Sequence, residues 1–227
     1  MEPTVSQLMQ HVPELALAGA LAWGAGIRLY LVVFLFGLAS WLGYWQLPEH
    51  LAVLAHPLVL FASGLMTVVE LLADKIPMVD SLWDAVHTFI RIPAGAALAA
   101  GVFGDAGAAV TVAAALLGGT VTATTHFSKA GTRAAVNTSP EPFSNLAVSF
   151  AEDAAVAGGS WLAVSQPLAF LTLLALFLVL ALLMLRWVIR AAKKLLGRPP
   201  TADAGPDAAS GATAEGLSEA RPGPRRL

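Results

Sequence analysis

Apolar residues run along this chain in long blocks separated by short polar connections, a pattern that neither amphipathic soluble helices nor alternating strands produce. A helix needs about 20 apolar residues to cross ~30 Å of hydrocarbon, and six blocks qualify. The first spans Glu14 to Leu42 and is interrupted only by Arg28. After a connection at Gly43–His50, with Trp41, Tyr44 and Trp45 as an interfacial aromatic belt, the second runs from Leu51 to Leu72. It closes on Glu70, Asp74 and Lys75, before Ile76-Pro77 breaks the chain. The third covers Val79 to Phe103. Gly104-Asp105 turns into a fourth, Ala106 to Phe127, and a polar interlude follows from Lys129 to Pro142. The fifth block is Phe143 to Val164, and the sixth, after Gln166-Pro167, is Leu168 to Ile189.

The pattern therefore predicts an all-α membrane protein with six transmembrane helices over residues 14–192. It places a short cytoplasmic segment before them (1–13). From Gly197 onward the Ala, Pro, Gly and Ser composition predicts a disordered cytoplasmic tail (197–227). Composition agrees, since 57% of the residues are hydrophobic and only 12% charged, about half the charged share of a soluble domain. Cysteine is absent, which excludes disulfides and thiolate chemistry. Met1 to Glu14 holds no Lys or Arg, so the basic start of a cleavable signal peptide is missing.

Charge sets the expected orientation. With six helices and both termini inside, the inner loops hold Lys75, Lys129 and Arg133, and the inner C-terminal region holds eight more basic residues from Arg186 onward. The outer loops hold none, which satisfies the positive-inside rule and predicts an inner (cytoplasmic) membrane protein. Of 13 Lys and Arg, only Arg28 and Arg91 fall inside helices. Ala25-Gly26-Ile27-Arg28 echoes Ala130-Gly131-Thr132-Arg133, and the Pro57 to Glu70 spacing is matched by Pro140 to Asp153. These echoes suggest two inverted three-helix halves.

Candidate chemistry lies in two polar stripes. Asp80, Asp84, His87 and Arg91 share one helical face, as do Glu141, Asn145, Ser149 and Glu152. An ionised group facing lipid at the bilayer centre costs about 2.5–3.5 kcal/mol, so these groups are expected to pair or to line a wet interior. Arg28 with Glu70 or Asp153, and Arg91 with Glu152, are the expected pairs. The candidate lining is Arg28, Glu70, Asp80, Asp84, His87, Arg91, Arg133, Asn145, Glu152 and Asp153. Asp84-x-x-His87 is a lone carboxylate–histidine pair, so no metal is expected, and no nucleotide-binding glycine motif is present. No cofactor is expected.

The segments Glu70-Leu-Leu-Ala-Asp-Lys-Ile-Pro, Asp80-Ser-Leu-Trp-Asp-Ala-Val-His-Thr-Phe-Ile-Arg, Lys129 through Asn145, and Ala151-Glu-Asp resemble a bacterial integral-membrane family catalogued as domain of unknown function 4126. The resemblance covers roughly residues 15 to 192 and implies membrane location, with no activity attached. The residues themselves favour a small transporter or channel-like protein. The alternatives are a membrane-embedded enzyme acting on a lipid or isoprenoid phosphate, with His87 and Asp84 as acid and base, and a scaffold subunit. Expected partners are the lipid bilayer and a small solute or ion, with a homo-oligomer left open and no nucleic acid.

Overall fold

A computed structural model describes residues 9–74, 76–137 and 142–196. Within them the chain forms six long helices: α1 (Val12–Trp41), α2 (Pro57–Ala73), α3 (Pro77–Val102), α4 (Ala108–Asn137), α5 (Pro142–Ser165) and α6 (Pro167–Leu196). Short 3-10 turns at Glu49–Ala55 and Gly104–Ala106 precede α2 and α4, and the described residues contain no strand. Four of these helices open on a proline. At the first helical position proline loses no hydrogen bond, and its φ is already helical. His56 adds a cap before α2, its ring nitrogen accepting from the Leu58 amide at 3.2 Å. The chain divides into one compact unit ending at Met184 and a second beginning at Leu185. The described part of the second is the helical stretch to Leu196.

Four helices are long and apolar enough to cross a membrane, and a fifth span arises if Glu49–Ala55 and Pro57–Ala73, which meet at 64°, count as one. The chain is thus a multi-pass membrane protein by length and composition. The sixth expected span is the fifth apolar block. It forms α5 but is not among the spans that pass this test.

The first block departs furthest from expectation. As a straight helix its 30 residues would extend about 45 Å, well beyond the hydrocarbon thickness. Arg28 instead takes a non-helical conformation (φ −143°, ψ 79°), and the two arms, 12–27 and 29–41, fold back on each other. A Cβ on Gly24 would stand 2.7 Å from the Val32 side chain, although eight residues of straight helix separate two positions by about 12 Å. At the far end, Pro13, Glu14 and Leu17 line one cleft with Phe36 and 45–48. The first of the four spans counted by length and composition is therefore a helical hairpin with Arg28 at its tip, rather than a single crossing helix.

Small residues let the hairpin pack into the bundle. A Cβ on Gly26 would meet the Thr122 carbonyl and Thr125 side chain of α4 at 2.7 Å, and one on Gly19 would meet Leu174 of α6 at 2.8 Å. Trp23 lies against Gly159 of α5 and edge-on to Phe170 of α6. The second arm packs on α2, with Phe34 over Gly64. Ala16, Leu21, Ala25, Val32 and Phe36 of α1 are fully buried and form the centre of the core.

The fourth block also differs, because its helix continues past Phe127 to Asn137. Lys129 and Arg133, expected in a loop, lie on α4. The sequence echo between 25–28 and 130–133 thus joins a hairpin tip to an unbroken helix, so these two elements are not alike. Pro140, Glu141, Lys75 and the tail lie outside the described residues.

Spin labels at Glu14 and Gln46 in this cysteine-free chain test the hairpin by electron–electron distance measurement. On a straight helix Glu14 would lie about 33 Å from Phe36, the residue on which Trp45, next to the second label, packs. The folded-back arms predict a single short distance well below that, and a distribution centred near the straight-helix value would exclude the hairpin.

Candidate functional site

The tip of α1 enters a cluster of buried ionisable groups contributed by α1, α2, the α2–α3 turn, α3, α4 and α5. Asp74 follows the last residue of α2 and is fully buried. It pairs with Arg28, and its Oδ2 accepts from Arg133 Nη2 at 3.2 Å. Arg28 Nη2 also donates to the Ser149 hydroxyl at 3.0 Å and carbonyl at 3.3 Å, and Arg28 Nε lies 2.8 Å from Asp153 Oδ1. The last pair is close but not aligned as a hydrogen bond. Arg133 makes a forked contact to Glu152, Nε to Oε1 at 3.0 Å and Nη2 to Oε2 at 2.7 Å, the two-pronged geometry a guanidinium offers a carboxylate. Its Nη1 donates to Asn145 Oδ1 at 2.8 Å, and Asn145 Nδ2 donates to the Asp74 carbonyl at 3.2 Å.

A second knot is centred on Arg91, also fully buried. Its Nη2 donates to Glu70 Oε1 at 2.5 Å and its Nη1 to Asp84 Oδ1 at 2.7 Å. Arg91 Nη1 also lies 3.2 Å from His126 Nδ1. A guanidinium only donates, so His126 accepts at Nδ1 and carries its proton on Nε2. Nε2 gives that proton to Thr88 Oγ1 at 2.7 Å, and Thr88 passes its own to the Asp84 carbonyl at 2.9 Å. His87 stands apart from the charges. Its Nδ1 donates to the Trp83 carbonyl at 2.9 Å, its Nε2 accepts from the Tyr30 hydroxyl at 3.1 Å, and its ring stacks on Trp83.

Lys129 joins the two knots. Its ammonium donates to the Ile27 carbonyl at 3.1 Å, a group whose usual partner four residues on is lost at the Arg28 break. It also lies 3.5 Å from Asp84 Oδ1, 3.7 Å from Asp74 Oδ2 and 3.7 Å from Glu152 Oε2. Beside this region a cleft of about 250 Å³ opens between α3 and α4. Asp84, Thr88, His126 and Arg133 line it, together with three alanines and Phe127. Among the described residues, no group of three or more His, Asp or Glu is arranged to hold a metal ion.

Of the expected lining, Arg28, Glu70, Asp84, Arg91, Arg133, Asn145, Glu152 and Asp153 come together, and His87 sits at the margin. The Asp80 side chain lies outside the described residues. The expected Arg28–Asp153 proximity is present. Glu70 pairs with Arg91 instead of Arg28, and Glu152 pairs with Arg133 instead of Arg91. The fold-back at Arg28 explains the exchange, since it brings the tip to Asp74 after α2 and to Ser149 and Asp153 in the first half of α5. Asp74, His126 and Lys129 were not expected in the lining. The signal for two of them is present in the sequence: Thr122, His126, Lys129 and Arg133 are spaced 4, 3 and 4, one continuous helical stripe.

The chain belongs to the family described as domain of unknown function 4126, whose model matches residues 15–187. Neither a curated protein nor a solved structure matches the chain.

Removing one partner of a buried ion pair leaves a charge without compensation and costs about 3–5 kcal/mol. Arg91→Gln strands Glu70, leaves Asp84 with only the Lys129 ammonium at 3.5 Å, and is expected to lower thermal stability in detergent strongly. Glu70→Gln leaves Arg91 with Asp84 and should cost less. The Glu70→Gln/Arg91→Gln double variant should lose less than the sum of the two singles. Additive losses would show that the Glu70–Arg91 contact is not a coupled pair.

Proposed function

We propose that this member of the domain of unknown function 4126 family is a small membrane transport protein, handling a cation or a proton-coupled solute at the tip of α1. One observation carries the reading: a helix reverses inside the bundle, and its interrupted backbone and Arg28 meet a buried charge cluster beside an open cleft. Interrupted helices serve transport because their ends present unpaired backbone groups to an ion within the membrane. The cleft reaches Asp84 and His126 from one side, while the packed arms of α1 close the other, as one-sided access requires. The lipid-phosphate enzyme reading is less well supported. Arg28, Arg91 and Arg133 are each engaged by carboxylates, so none of these three guanidinium groups is available as a phosphate clamp. A scaffold would account for the ion pairs but not for the cleft.

The hairpin also bears on sidedness. Its two ends share a face with the connections 42–57 and 103–107, none of which carries Lys or Arg. The α2–α3 turn and the end of α4 lie at the opposite face, near Lys129 and Arg133. By the positive-inside rule, the Val12 end of α1 is external and the α2–α3 turn cytoplasmic. It differs from the expected cytoplasmic placement of residues 1–13.

The protein reconstituted in liposomes is expected to take up solute or cation under an imposed pH gradient. Asp84→Asn, which leaves Arg91 to Glu70, and His126→Gln should each reduce the flux per folded, reconstituted protein at least tenfold. No wild-type flux across a panel of monovalent cations and small solutes, or wild-type flux in both variants, would sink the reading. For sidedness, a cysteine at Gln10 should react with a membrane-impermeant maleimide in intact cells, and one at Ser210 should not. The opposite pattern would restore the internal placement of the first segment.

A further inference from the structure

A groove of about 570 Å³, which shares no lining residue with the Asp84 cleft, lies between the second arm of α1, α2 and α3. Small-molecule sites fall in the same range of ~300–1,000 Å³. α2 and α3 touch little beyond the turn that joins them, and the groove forms where they part. Aliphatic side chains such as Leu29, Val59, Met66 and Leu98 make its wall, and no Lys, Arg, Asp or Glu lines it. Val53 and Leu58 at its rim are 57% and 72% exposed, so within a membrane it opens sideways to hydrocarbon. Its two ends differ. Leu51 and Leu54, from the 3-10 turn before α2, border one end, where the Leu54 carbonyl lies against Gly37 of α1. Tyr30 borders the other, two residues from the α1 tip.

Two hydroxyls border this groove, and they are committed differently. Ser63 is spent on its own helix, donating to the Val59 carbonyl at 2.6 Å. Tyr30 donates to His87 Nε2 at 3.1 Å. That nitrogen accepts because Nδ1 already gives the ring proton to the Trp83 carbonyl. With its own proton committed, the Tyr30 oxygen is left as an acceptor. Depth narrows the occupant further. His87 lies ten residues along α3 from Pro77, or about 15 Å, which is half the ~30 Å hydrocarbon thickness. The polar end of the groove is therefore near the bilayer middle.

We infer that this groove binds a long-chain alcohol, its hydrocarbon chain between α2 and α3 and its hydroxyl donating to the Tyr30 oxygen. Three features select that class. The apolar wall follows α2 from Leu58 to Met66, about 12 Å, which suits a chain that continues past the open rim into lipid. The lack of a charged lining residue excludes a phosphate, ammonium or carboxylate head, because a buried charge needs a counter-charge. An acceptor at the deep end selects a head that donates, which excludes the carbonyl of a quinone or an ester. A hydroxyl is neutral and donates. Binding here is independent of transport at the Asp84 cleft.

The probe is farnesol carrying a photoactivatable diazirine on its chain, added to the wild-type protein in phospholipid nanodiscs. Crosslinking should saturate and map to the α2 and α3 residues that line the groove. Unlabelled farnesol should compete about fivefold better than farnesyl methyl ether, the margin of one net hydrogen bond. Ala97→Phe, at an exposed lining position, should remove the saturable crosslinking. Tyr30→Phe should keep it and erase the preference for alcohol over ether. Unsaturable crosslinking that spreads over the exposed leucines of α6 as well would show bulk lipid only and overturn the proposal. Equal competition by the ether, stronger competition by a quinone of the same chain length, or a preference that survives Tyr30→Phe would overturn it too. If Tyr30→Phe does not fold, the alcohol–ether comparison on wild type decides by itself.

Discussion

Permanent cations cannot be left unpaired in a medium without water, and this constraint organises the bundle. Arg28, Arg91, Lys129 and Arg133 are all nearly or fully buried, and each would raise the free energy of the folded state by several kcal/mol without a counter-charge. Asp74 is the hub of the solution. Placed just after α2, it holds Arg28 from α1 and Arg133 from α4 and lies within 3.7 Å of Lys129. Its backbone carbonyl accepts from Asn145 of α5. One turn residue thereby fixes the relative depth of four helices. The α2–α3 connection is short because Asp74 has to stay inside the bundle.

The reversal of α1 follows from the same constraint together with length. A straight 30-residue helix would overshoot the bilayer by about 15 Å and would carry Arg28 past the carboxylates that can neutralise it. Folding at Arg28 matches each arm to the depth available. It also brings the guanidinium to Asp74, Asp153 and Ser149. The cost is an interrupted hydrogen-bond ladder, and Lys129 offsets part of it at the Ile27 carbonyl. Gly24 and Gly26 make the fold-back sterically feasible, the first against Val32 of the opposite arm and the second against the α4 backbone.

Much of this was legible in the sequence, though not its most consequential parts. Hydropathy located all six helices, because burial in lipid demands apolar runs and proline marks their starts. It also identified the ionisable residues, since charges in such runs have to meet. Hydropathy is blind to direction, however, and a hairpin of two short apolar arms reads the same as one long helix. The mismatch between a 29-residue block and a 20-residue requirement was the available clue, with Arg28 near its middle. Lys129 and His126 were missed for a different reason. Hydropathy falls at Phe127, which puts His126 at a helix end and Lys129 in a loop, yet a helix with a polar stripe facing a charged interior loses hydropathy without ending. Pairings were the least legible, because opposite charge and similar depth allow several partners, and the choice depends on where the hairpin tip falls.

The choice of residue types within the cluster points to how it works. Three positions hold arginine, and each guanidinium makes directional contacts: Arg133 forks onto Glu152, Arg91 bridges Glu70 and Asp84, and Arg28 reaches Asp74 and Ser149. Planar groups that remain charged suit fixed joints. The fourth position holds lysine, a compact charge on a flexible stem, and it alone contacts the broken backbone. A cluster built only for rigidity would gain from arginine at every position, since a fork adds geometric restraint that an ammonium lacks. At the helix break the compact ammonium instead meets one carbonyl at 3.1 Å and three carboxylates at 3.5–3.7 Å, so this joint is held by longer and less directional contacts than the three arginine joints.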